Sequence, residues 1–171
     1  MRRGTETDAE QMAKINVDGW STAYRGMIPD AYLDAMRAGD RVDRMRQRLA
    51  LPDPYATLLA VGGDGAVGAY ATVTAVQDGD DEHPNLSTGE LAALYADPAW
   101  QGTGAGKAAH EAGIEYLVKQ GFEHAVLWVL ADNAPSRRFY ETRGWTCDQV
   151  TKADTFGGSS VTEIRYSRLL G

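Results

Sequence analysis

The sequence predicts an α+β fold: a mixed, mostly antiparallel sheet of about seven strands, flanked by helices. Three observations predict it. Apolar residues recur at helical spacing up to about residue 51, and in extended runs from residue 57 onward. Two glycine turns, 62-GGDG-65 and Gly157-Gly158, each separate a pair of such runs, which makes the flanking strands antiparallel neighbours. One segment reads strand, glycine loop, helix, strand, and that order places a single parallel crossover inside the sheet.

Taken in order, Arg2–Thr5 is a short first strand. Thr7 and Glu10 have capping-box spacing and open a helix to about Ala23, with Met12, Ile15 and Trp20 on its inner stripe. Pro29 occupies a first-turn position, followed by Tyr32, Leu33 and Met36 at helical spacing. A further helix runs from Asp40 to about Leu51. It turns Val42, Met45 and Leu49 inward and Arg41, Arg44, Arg46 and Arg48 largely outward, and Pro52 and Pro54 end it. Thr57–Val61 and Ala66–Val76 make a hairpin, 78-DGDDEH-83 a solvated acidic loop, and 89-GELAALYAD-97 the next strand. The helix after the glycine loop has Ala105, Ala108, Ala109, Ala112, Tyr116 and Leu117 on its inner face and is closed by Gly121. The run 124-HAVLWVLA-131 is a buried strand, and a short helix from Ala134 to Arg143 is closed by Gly144. Cys147–Lys152 and Val161–Leu169 complete the sheet. No repeat and no linker divides the chain, so residues 1–171 read as one domain.

Composition narrows the function classes. With 43% hydrophobic and 24% charged residues the chain is globular rather than disordered. No apolar run approaches the roughly 18 residues of a membrane helix, and MRRGTETDAE has no apolar segment of the kind a signal peptide carries. The single cysteine, Cys147, forms no internal disulfide and fits a reducing, cytoplasmic setting. His83, His110 and His124 lie far apart with no ligand spacing, so no metal is expected. A net charge of −7 argues against nucleic acid as a partner and leans towards a cationic small substrate or plain solubility.

The chemistry concentrates in 98-PAWQGTGAGKAAHEA-112, where Gly102, Gly104 and Gly106 precede an alanine-rich helix. Exposed backbone N–H groups before a helix bind phosphate. A P-loop needs glycine where Gln101 stands and a hydroxyl where Ala108 stands, so it fails twice. The dinucleotide pattern matches at Gly104, Gly106 and Ala109. It lacks the acidic residue at the end of the next strand and follows an antiparallel hairpin, which leaves an oxidoreductase as a weak rival.

The run from Leu94 to Gly106 resembles the acetyl-CoA signature of the GNAT acyltransferase superfamily: a strand, a proline, then Gln-x-x-Gly-x-Gly. The segment 133-NAPSRRFYETRGW-145 resembles the second half of that signature. The resemblance implies the GNAT acyl-CoA N-acyltransferase fold and an acetyl-CoA-dependent N-acetyltransferase acting by direct attack of a primary amine, with no metal. A non-catalytic acyl-CoA-binding domain on the same fold is the rival from another class. The acceptor would be a small-molecule or peptide amine, with neither nucleic acid nor membrane involved, and a homodimer is compatible with the reading.

The resemblance also implies residue roles. Leu94, Tyr95 and Ala96 offer backbone groups to the pantetheine arm, and Gly102, Thr103, Gly104, Ala105, Gly106 and Lys107 wrap the pyrophosphate. Asn133 matches the asparagine near the thiol end and is equally an N-cap for the helix that follows. Tyr140 matches the tyrosine that protonates the departing thiolate, its alternative being a core aromatic beside Phe139. Glu90 matches the general base of some branches, and alternation sets it on one face with Ala92, Leu94 and Ala96; an ordered water chain is the alternative. Trp20, Tyr24 and Tyr32 either wall the acceptor pocket or belong to the core, with Trp20 read as core.

Overall fold

In the computed structural model, which describes residues Met1–Gly171, the elements follow the hydrophobic spacing. Strand β1 (Arg2–Arg3) leads into helices α1 (Ala9–Ala23), α2 (Asp30–Ala35) and α3 (Gly39–Leu49). Then come β2 (Ala56–Val61), β3 (Val67–Ala75), β4 (Thr88–Ala96), α4 (Ala105–Lys119), β5 (His124–Leu130), α5 (Ala134–Glu141), β6 (Thr146–Phe156) and β7 (Ser159–Leu169). The strands form one seven-stranded sheet in the order β1-β2-β3-β4-β5-β7-β6. Only β4 and β5 pair parallel, as the single crossover requires; the other neighbours are antiparallel. No helix is long and apolar enough to cross a membrane.

Helices cover both faces of the sheet centre, so β3 is buried along almost its whole length. On one face α4 sets Ala109 and Leu117 against Ala69, Ala71, Val73, Leu91 and Leu127. On the other, Met12 and Ile15 of α1 pack on Leu59, Val67 and Tyr70. Small residues set the spacing: a Cβ added to Gly113 of α4 would lie 3.2 Å from Val73. Each fully buried Leu or Ile here contributes about 2 kcal/mol by removal from water.

Two strand irregularities determine which side chains reach the site. Val73 opposes Leu91 and Thr72 opposes Ala93, so Ala92 is an extra residue in β4, a β-bulge. Beyond it Leu94 and Ala96 pair with Ala71 and Ala69, on the α4 face with Leu91, while Glu90, Ala93 and Tyr95 share the α1 face. This corrects the expectation that Glu90, Ala92, Leu94 and Ala96 share a face: one inserted residue reverses the alternation. In β6, the register shift between Cys147 and Thr151, with Gln149 at φ 63°, brings Lys152 opposite Glu163.

Other differences have equally local causes. The first helix is entered through Thr5 and Asp8 rather than Thr7 and Glu10. Arg2 grips the Asp8 carboxylate with two 2.7 Å hydrogen bonds, and the Thr5 N–H donates to it at 2.8 Å. The pairing with Arg2 holds Asp8 below the usual carboxylate range. Pro29 stands at the N-cap of α2 rather than in its first turn, and α5 stops at Glu141, short of Arg143. The acidic loop is only partly solvated. Asp81 is buried, accepts from Arg165 at 2.8 Å and from the Trp128 indole at 2.9 Å, and so ties the loop to β5 and β7. Arg41 turns inward over the Trp20 ring, 5.4 Å from its centroid.

His110 of α4 is 1% exposed, and its Nε2 accepts from the Trp145 indole at 2.9 Å. That bond joins α4 to the chain just after α5. Burial, aided by the charges of Arg168 and Arg143, lowers its pKa to about 4. The unfolded chain therefore binds a proton between about pH 6.5 and 4 that the folded chain refuses. Stability is expected to be complete above pH 6.5, to fall as pH drops below it and to level off near 4, losing about 3 kcal/mol. Urea melts of the wild type and His110→Gln across this range check it: the slope should be steeper in the first, and the shallower slope left in the second belongs to groups such as His124, whose pKa burial also lowers.

Candidate active site

Strands β4 and β5 hold each other only from Thr88–Glu90 to His124–Val126. Past this point they diverge, and the edge of β4 from Leu91 to Ala96 has no strand partner. The bulge at Ala92 lies just beyond the last pair, and a bulge bends and twists its strand. The wedge between the strands opens into a cavity of about 300 Å³. Leu91–Tyr95 line one side of it and Trp128–Leu130 the other, with Ser136 and Tyr140 of α5 at one end.

Three charged side chains stand in this largely apolar cavity: Glu90, Lys152 and Glu163. Burial raises the pKa of Glu90, partly opposed by Lys152, and Asp81 and Glu163 add to the rise. Glu163 is raised in the same way, again with Lys152 opposing. The Lys152 Nζ lies 3.5 Å from a Glu163 oxygen and 4.1 Å from the centroid of the Trp128 ring. Both carboxyls are thus nearer the range where a proton can be exchanged with an amine than an exposed glutamate would be. Tyr140 is half-buried at the other side. Burial, then the neighbouring Tyr95, pushes its phenol well above the ordinary value, so it stays protonated and able to donate. The Trp20 indole donates to the Tyr95 hydroxyl at 2.8 Å, and Trp20 and Tyr24 meet edge to face at 5.0 Å.

The glycine loop lies at the other end of β4. A 3-10 turn, Pro98–Trp100, carries the chain out of the strand. Trp100 lies so close over Gly68 of β3 that a Cβ there would come within 2.4 Å of its ring. Gly102 and Gly104 take φ 76° and 89°, values that side-chain-bearing residues rarely adopt, and Gly104 is the N-cap of α4. The first backbone-to-backbone bond of the helix is that of Ala108 to Gly104 O at 2.9 Å, and the Ala105 N–H meets only the Thr103 hydroxyl, at 3.4 Å; those of Gly102, Gly104, Gly106 and Lys107 have no acceptor in the chain. Gly106 lies against Ala96, since an added Cβ would meet the Ala96 Cβ at 3.8 Å. A row of unsatisfied donors at a helix N-terminus thus adjoins the unpaired strand edge, which suits a ligand with a pyrophosphate and an amide-bearing arm.

The structure brings Glu90, Leu94, Tyr95 and Tyr140 to one cavity and Ala96 with Gly102–Lys107 to the adjoining loop. Asn133 is buried, and its side chain accepts from the Ser136 N–H at 3.2 Å, the α5 N-cap role expected of it; Ser136, one turn on, lines the cavity. The Lys107 ammonium points out, 3.6 Å from Glu111. Trp20, read as core, walls the cavity together with Tyr24. Lys152, Phe156 and Glu163 were not legible beforehand, because their position depends on the β6–β7 register.

The Acetyltransferase (GNAT) family model matches residues 20–145. An uncharacterized N-acetyltransferase of Bacillus subtilis, YuaI, is 30% identical over 82% of this chain and 76% of its own length. A mycothiol acetyltransferase of an Arthrobacter species is 38% identical over 84% of this chain, which spans 48% of that protein. Among solved structures, the PaiA N-acetyltransferase of Thermoplasma acidophilum in complex with coenzyme A superposes with a TM-score of 0.73 at 16% identity, over 98% of this chain and 96% of that one. A ribosomal-protein-alanine N-acetyltransferase of Brucella melitensis gives 0.73 at 18% identity, over 99% and 98%. At those identities the likeness is one of fold. The family model and the Bacillus relative together establish the rest: the chain belongs to the GNAT family and is an acetyl-CoA-dependent acetyltransferase.

Proposed function

We propose that residues 1–171 act as one domain that transfers an acetyl group directly to a primary amine. The observation that carries this is the wedge itself: an unpaired strand edge and a donor-rich loop lead to a cavity holding both a half-buried carboxylate and a half-buried phenol. Bound acetyl-CoA would supply the acetyl group as an activated thioester. The β4 edge at Leu94–Ala96 would hold the arm by backbone hydrogen bonds and steady the carbonyl oxygen as negative charge develops on it. The N–H groups of Gly102–Lys107 would hold the pyrophosphate without an arginine, which a chain of net charge −7 does not need at a helix N-terminus.

Glu90 takes the proton of the incoming ammonium, since only the neutral amine attacks. The new N–C bond forms as the C–S bond breaks, Tyr140 passes its proton to the leaving sulfur, and the second proton shed by the acetylated nitrogen restores the phenol. The phenol's raised pKa makes it a reluctant acid, so the transfer keeps pace with charge building on sulfur next to it. Asn133 serves by capping α5, which carries Ser136 and Tyr140 into the cavity. A single free cysteine, Cys147, suits a reducing cytoplasm.

Tyr140→Phe is expected to lower kcat about 100-fold at every pH without loss of folding, and an undiminished kcat would remove the acid role from this side chain. For Glu90 the sign is set by its raised pKa: it is a base only when ionised, so kcat/KM should climb with pH along a limb lying above the usual carboxylate range. Steady-state profiles of Glu90→Gln should lose that limb and about 100-fold in kcat/KM, while those of Glu163→Gln keep it; the reverse pattern would move the base to Glu163. In thermal-shift titrations, coenzyme A should raise Tm and NAD should leave it unchanged.

A further inference from the structure

A second, more open groove adjoins the acetyl-transfer cavity and shares two of its walls, Trp20 and Phe156. These rings meet edge to face at 5.2 Å, so one aromatic pair borders both spaces. Their chemistry is opposite. The cavity holds Glu90 and Glu163 with one cation, Lys152. The groove holds Arg37, Arg41 and Arg44 with one anion, Asp40.

The arginines of the groove differ in how they are occupied. Arg37 already donates to the Asp34 and Met36 carbonyls at 2.7 and 2.9 Å. Arg41 and Arg44 form no salt bridge. Elsewhere Arg2, Arg3, Arg25, Arg46 and Arg165 each bridge to a carboxylate, Arg137, Arg143 and Arg168 donate to carbonyl or hydroxyl oxygens, and only Arg48 and Arg138, outside the groove, are as free. In a chain with 24 acidic and 17 basic residues, two arginines without a carboxylate in one groove form a local excess of positive charge. Arg41 is also held in place. Its guanidinium stacks on the Trp20 ring, and that indole is itself fixed by donating to Tyr95 of the cavity wall. A guanidinium so held keeps its N–H fork for an oxyanion at low entropic cost.

We infer that the acceptor is an amine that also bears an oxyanion, a carboxylate or phosphonate separated from the nitrogen by a spacer that passes the Trp20–Phe156 pair. Its ammonium enters the cavity towards Glu90 and Glu163, and its anion rests on Arg41 and Arg44. The overall negative charge of the protein, which by itself points to a plain cationic amine, is thus locally reversed where the far end of the substrate lies. The inference rests on the acetyl-transfer reading of the cavity.

The test measures kcat and KM at saturating acetyl-CoA for ω-amino acids of increasing chain length, each beside its carboxamide. Enzymes compared are the wild type, Arg44→Gln, Arg41→Gln and Arg41→Lys, with thermal melting to establish folding. Arg44 is exposed, so its replacement leaves the core intact. For at least one chain length the wild type should favour the acid over its amide by about 10-fold or more, in KM rather than kcat. That ratio should collapse in Arg44→Gln and Arg41→Gln and partly persist in Arg41→Lys. Equal kcat/KM for acids and amides, or a ratio that survives in both glutamine variants, would overturn the inference and leave acetyl transfer standing. Turnover of no amine in either series, with coenzyme A still raising Tm, would likewise overturn the inference, whereas loss of the coenzyme A shift would bring down the acetyl-transfer reading of the cavity itself.

Discussion

The parting of β4 and β5 after three residue pairs is the constraint around which the site is arranged. Backbone N–H and C=O groups inside a sheet need partners, and a strand edge left open in the middle of a fold is costly unless something fills it. Here the divergence leaves one edge of β4 free from Leu91 to Ala96, while β3 holds the other edge throughout. Because β4 pairs parallel with β5, the connection between them must be a crossover, and α4 provides it. The helix therefore starts where the free edge ends, with Gly106 against Ala96. Donors for a phosphate and donors for an extended arm become neighbours as a consequence of topology.

The bulge at Ala92 decides what chemistry faces the wedge. One inserted residue sends Leu91, Leu94 and Ala96 to the α4 face and Glu90, Ala93 and Tyr95 to the α1 face. Without it Glu90 would share a face with Leu94 and point towards the α4 core, where an unpaired carboxylate is strongly disfavoured. With it the carboxylate meets Lys152 and Glu163 across the cavity.

Behind these groups stands a set of buried charges that position rather than react. Arg165 bridges Asp81 and Asp148 at 2.8 and 2.7 Å, and all three side chains are largely buried. Asp81 in turn fixes the Trp128 indole, over which Lys152 lies. Buried ion pairs add little net stability once desolvation is counted, but removing one partner strands the other. Their effect here is geometric, holding the cation that moderates both glutamates. On the glycine-loop side Trp100 has a comparable effect, pressed onto Gly68 so that the 3-10 turn and the loop after it start from a set position.

Much of this was legible in the chain itself. Period and turn chemistry determined the element order, because amphipathic spacing and the glycine turns 62-GGDG-65 and Gly157-Gly158 are local properties. The crossover and the loop of Gly102, Gly104 and Gly106 pointed to the donor, since backbone donors at a helix start are specified by glycine placement within a few residues. What sequence could not determine is everything that depends on register. The bulge at Ala92, the Lys152–Glu163 pairing and the inward turn of Arg41 over Trp20 each depend on which residues of distant segments lie opposite one another. A shift of one residue reverses a strand's faces at little cost in local propensity. The glycine loop is local in the chain and so was written in it; the cavity and the groove beside it are assembled from α1, α3, β4, β6 and β7, among others, and only their packing decides them.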